Sequence, residues 1–88
     1  MRRANRDTVS SILALFHKAA ALSPDNISSF TSVENDISMH LQHLDDEGGA
    51  KDYLVSQFRK LKNYRGEPEM LHKLSEEVAA WVDGMRSH

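Results

Sequence analysis

The chain has 88 residues, 40% hydrophobic and 27% charged, with a formal net charge of -2 and no cysteine. That composition describes one small globular domain over residues 1–88 and excludes disulfide scaffolds, thiolate zinc sites and cysteine catalysis. It also disfavours nucleic-acid binding, which draws on a basic excess, and no stretch approaches the ~18 apolar residues of a membrane span.

The periodicity is helical throughout. Val9, Ile12, Phe16 and Ala19 step by 3, 4 and 3, with Leu13 and Ala20 widening the stripe. This predicts a first helix over 6–22, with residues 1–5 frayed. The apolar run 12–22 follows an arginine-rich start, as a signal peptide would, but His17 and Lys18 interrupt it and it reads as an amphipathic helix.

Ser23-Pro24-Asp25 stops that helix. Ser23 can cap and Pro24 suits a first helical position, so a short extra turn is expected over 24–30. Thr31 followed by Glu34 has the form of a capping box. It predicts that the second long helix opens there, with Val33, Ile37, Leu41 and Leu44 on one face. Asp45-Asp46-Glu47-Gly48-Gly49 ends it. Acids oppose the dipole at a helix C-terminus, so Asp46 and Glu47 are expected outside the helix.

A third helix is predicted over 50–63, burying Leu54, Phe58 and Leu61 with Tyr53 and Val55 beside them. Asn63-Tyr64-Arg65-Gly66 is the turn. The last helix begins near Pro68, and Leu71, Leu74, Val78, Trp81 and Met85 form its stripe, broadened by Val82. The expected fold is therefore all-α: a compact bundle of four short amphipathic helices, or five if 24–30 counts.

The densest basic run surrounds the third helix's end: Arg59, Lys60, Lys62 and Arg65 about Tyr64. Cations in a last turn suit the helix dipole by ~0.3–1 kcal/mol each, which needs no ligand. The same run can form a basic rim for an acidic protein segment, or grip phosphates with Tyr64 stacking on a base. Arg2, Arg3 and Arg6 would join it if the N-terminus folds nearby.

His40 and His43 lie at i, i+3 with Asp46 one turn on, but a closed zinc site needs four ligands. His17 and His72 would have to converge from other helices, so no metal and no cofactor is expected. Glu76 and Glu77 read as a solvated face. The serines stand in no nucleophile elbow, and Gly48-Gly49 lacks the context of a phosphate loop. No enzymatic activity is expected. Trp81 reads as core, while Tyr53, Tyr64, Met39, Met70 and Met85 at stripe edges are residue types suited to partner contacts.

Residues 41–86, through LQHLDDE, YLVSQFRKLKNY and EMLHKLSEEVAAWVDGM, resemble the N-terminal helical domain of transcription elongation factor TFIIS, shared with elongin A and a Mediator subunit. Leu41, Leu44, Leu54, Val55, Phe58, Arg59, Lys60, Leu61, Leu74, Val78 and Trp81 take the matching positions. Val82 stands where the family places a Lys after its Trp. The resemblance implies a scaffold that docks short unstructured motifs of transcription proteins, with the helix end at 59–62 facing acidic residues.

The expectation is an intracellular interaction domain, cytoplasmic or nuclear, that docks a segment of another protein on a helical face. Arg59, Lys60, Lys62, Tyr64 and Arg65 would be the partner-binding residues. A small bacterial or phage regulator of the immunity type, and a nucleic-acid-binding domain, are the alternatives. A homodimer would cover any apolar face left exposed.

Overall fold

The computed structural model describes residues 3–45 and 49–86, and these form four helices: α1 (Arg3–Ala21), α2 (Ile27–Gln42), α3 (Ala50–Asn63) and α4 (Pro68–Arg86). No strand occurs among the described residues. α1 and α4 have 19 residues each, which makes each about 28 Å long. The molecule measures 38 × 22 × 17 Å.

Each helix packs on two neighbours, α1 against α2 and α4, and α3 against α2 and α4. α1 therefore lies diagonal to α3. Bonds at the two ends give the direction of each helix. Asn5 near the start of α1 bonds Asp45 just beyond the end of α2. Arg65 beyond the end of α3 pairs with Glu34 in the first half of α2. The end of α1, the start of α2, the α3–α4 turn and the start of α4 meet around one crevice. The bundle is thus up-down-up-down, as short connections favour.

One apolar cluster holds it together. α1 contributes Val9, Ile12, Phe16 and Ala19; α2 contributes Phe30, Val33, Ile37 and Leu41. α3 adds Leu54, Phe58 and Leu61, and α4 adds Leu71, Leu74, Val78 and Val82. The 3–4 spacing read from the sequence is the spacing that is buried.

Differences from expectation concentrate at helix starts. α1 opens at Arg3, not residue 6, and Asn5, expected to fray, is buried and hydrogen-bonded. α2 starts one turn before the expected capping box. Asn26 caps it by accepting from the Ser29 N–H at 3.3 Å, and Thr31 is an exposed residue inside the helix. The expected turn over 24–30 and the expected helix from Thr31 are largely one element. The reason is Phe30, buried one turn upstream of Val33. Burying a Phe side chain stabilises by about 1.5–3 kcal/mol, against ~1 kcal/mol for a cap.

α2 ends at Gln42, yet Leu44 beyond it is still buried. Asp46 and Glu47, expected outside the helix, lie outside the described residues. α3 has the expected bounds. Gly49 precedes it with φ of 76° and Gly66 follows its turn with φ of 82°, both in the left-handed region where a side chain is strained. Trp81, expected in the core, is half-buried at its edge.

Candidate partner-binding surface on α3 and α4

Consecutive helical residues point about 100° apart, so a basic run on a helix fans out instead of forming one patch. The run at the end of α3 behaves this way. Lys62 folds back along α3, its Nζ 4.5 Å from the centroid of the Phe58 ring. Arg65 reaches α2: its guanidinium pairs with Glu34 and lies 5.3 Å from the centre of the Phe30 ring. Lys60 and Tyr64 turn towards α4 instead, lining a groove with Met70, Lys73, Leu74 and Glu77. Arg59 is exposed between the two sets.

Two of the five expected partner-binding residues are therefore engaged within the molecule. Arg65 clamps the α3–α4 turn to α2, and Lys62 covers a core aromatic. Lys60 and Lys62 also stand in the last turn of α3, where their charge complements the dipole. Arg59 and Lys60 are exposed, with no ion pair among the described residues. Arg6, considered as an addition to this run, is exposed near the start of α1, at the opposite end of the bundle. Arg2 lies outside the described residues.

The α3–α4 seam joins side chains that lie far apart in the sequence. Tyr53 and Trp81 stack with ring centroids 4.2 Å apart and planes 12° from parallel. Gln57, one turn on from Tyr53, is buried, and its Nε2 donates to the Tyr53 hydroxyl oxygen at 2.8 Å. Gln57 Oε1 has no hydrogen-bond partner among the described residues. Burial pushes the Tyr53 hydroxyl above its ordinary pKa; the Gln57 bond opposes this and the charge of Glu77 adds to it. The phenol therefore stays protonated at neutral pH. The signal for this seam was available: Tyr53, Gln57, Lys60 and Tyr64 repeat at 4, 3 and 4 along α3.

A buried amide oxygen without a partner destabilises the fold. Gln57→Leu gives up the Nε2 bond to Tyr53, about 1 kcal/mol, and removes the unpaired oxygen, about 1–3 kcal/mol, so a net stabilisation of up to about 1 kcal/mol is expected, raising the melting temperature by up to roughly 4–8 °C. Thermal unfolding followed by circular dichroism checks this, and a lowered melting temperature would mean that the amide is satisfied.

Among the described residues no group of three or more His, Asp or Glu side chains stands close enough to hold a metal ion. The HLQH pair diverges: the His40 Nδ1–H donates to the Asp36 carbonyl one turn back at 2.7 Å, while His43 is exposed. His72 pairs with Glu76 on the surface of α4, 3.1 Å apart. The crevice at the bundle end, edged by Ser23, Phe30, Arg65 and Leu71, offers only about 10 Å³. No helix among the described residues is long and apolar enough to cross a membrane.

Comparison of the chain with family models, with curated proteins and with solved structures finds no match.

Proposed function

We propose that the chain is a non-enzymatic docking domain that binds an acidic, partly apolar segment of another protein along the basic edge of α3. The observation that carries this reading is the exposure of Arg59 and Lys60, with no ion pair among the described residues, and the groove that Lys60 lines with Tyr64, Met70 and Leu74. Exposed cations beside apolar side chains steer acidic partners and then offer them area to bury. Arg65 and Lys62 support the rim indirectly, by fixing the turn and covering Phe58. The resemblance of residues 41–86 to the TFIIS-type domain makes transcription proteins the first place to seek the partner.

The test is affinity capture from lysate with nuclease present, comparing wild type with Arg59→Glu/Lys60→Glu. Both positions are exposed, and surface changes of this kind usually alter stability by no more than ~0.5 kcal/mol. The expected result is a protein captured by wild type under nuclease and depleted roughly tenfold or more in the variant, since reversed charge across an interface is strongly unfavourable. A captured set indifferent to the variant would overturn the basic-edge reading. Capture abolished by nuclease would point to nucleic acid instead.

A further inference from the structure

α3 and α4 run antiparallel, and each turns one ridge to the other. On α3 the ridge is Tyr53, Gln57, Lys60 and Tyr64; on α4 it is Met70, Leu74, Glu77 and Trp81. Both repeat at 4, 3 and 4, the spacing that keeps side chains on one helical face. Tyr53 stacked on Trp81 occupies one end of the seam. At the other the ridges part to leave a groove of about 200 Å³. Tyr64, Met70 and Trp81 are only partly buried along this line.

Lys60 on α3 and Lys73 on α4 both line the groove and are exposed. Neither makes an ion pair among the described residues. Two cations flanking an apolar floor repel each other and attract an anion between them. Glu77 is the one acid lining the same groove, so its net charge is positive although the whole chain is acidic.

We infer that this groove takes one amphipathic helix from another protein. That helix carries apolar anchors at i, i+4 and i+7 and a carboxylate positioned to meet both Lys60 and Lys73. The helical form follows from the walls: two helices with 3–4 ridges leave a furrow that a third helix fills by the same interdigitation. The carboxylate follows from the lysines. This inference rests on the docking reading above and assigns it a face and a ligand.

The test uses two four-turn alanine-based peptides with leucine anchors at i, i+4 and i+7, differing in one flanking position, glutamate in the first and lysine in the second. Each is titrated into the isotope-labelled full chain and followed by amide and indole NMR. The glutamate peptide is expected to shift Lys60, Tyr64, Lys73 and Leu74 amides and the Trp81 indole. The lysine peptide should bind roughly tenfold more weakly or worse, and Lys60→Glu/Lys73→Glu should reverse the preference.

Equal affinity of the two peptides would overturn the charge assignment. Shifts on another surface would overturn the groove and leave the docking reading standing, as would absent peptide binding alongside capture that still depends on Arg59 and Lys60. Groove shifts that grow with protein concentration alone, together with a doubled mass, would assign the face to a second copy of this chain and overturn the proposal. If neither peptide binds and capture ignores the rim, both readings fall.

Discussion

Phe16→Ala is expected to cost the domain about 3–5 kcal/mol of stability and to lower its urea midpoint sharply. Phe16 is the largest of the fully buried side chains, at 1% exposure, and belongs to α1, the helix that packs on both α2 and α4. Truncating a buried Phe costs about 3–5 kcal/mol, the lost transfer energy plus the cavity left behind. A domain of 88 residues has a total stability of only about 4–13 kcal/mol. The substitution therefore removes a large share of the whole. Phe16→Leu is the control: it keeps much of the volume and should cost closer to 1 kcal/mol. Urea unfolding followed by circular dichroism separates the two. A midpoint for Phe16→Ala close to wild type would show that the centre of the bundle collapses to fill the space.

The second large effect is expected at Asn5. Its side chain is buried and holds both backbone groups of Asp45: Oδ1 accepts from the N–H and Nδ2 donates to the carbonyl, each at 3.2 Å. An amide is the side-chain group that offers a donor and an acceptor side by side. Asn5→Leu has the right bulk and neither group. It is expected to cost about 2 kcal/mol, lowering the melting temperature by roughly 8–16 °C. Asn5→Asp should fall between, because its carboxylate still accepts from the N–H but faces the Asp45 carbonyl with like polarity. If Asn5→Leu melts with wild type, water satisfies that backbone in place of the amide.

Asn5 also marks what the sequence concealed. An Asn near the start of a helical stripe looks like a polar residue at a fraying end, and only the return of the chain at Asp45 gives it a partner. The same limit hid Gln57, which sits in the register of Leu54 and Leu61 but has the composition of a surface position. The legible parts were those fixed by local spacing. The bounds of α3 follow from a stripe closed by Asn63-Tyr64-Arg65-Gly66 and opened by Gly49. The start of α2 departs from the capping motif at Thr31 because the aromatic one residue before it, Phe30, is buried and draws the helix upstream.

The basic run is a mixed case. Its residues were visible as a cluster, but chain order says little about who meets whom when each step turns the side chain by about 100°. Glu34, on another helix, takes Arg65 out of the set, and Lys73 joins Lys60 from α4. Neither partner is near the run in sequence, so spacing alone could not have selected them.

The helices that pack most extensively are α1 and α4, which are separated along the chain by the whole of α2 and α3. Most helical bundles fold quickly because their contacts are local. Here the largest interface closes the longest loop, and the loss of chain entropy on closure grows with the logarithm of loop length. During synthesis α2 is the first of α1's two packing neighbours to emerge behind it. Its amphipathic face stays half covered until α4 has been made. The Phe16 side of α1 is therefore left partly uncovered until translation has supplied α4, and the bundle closes only then.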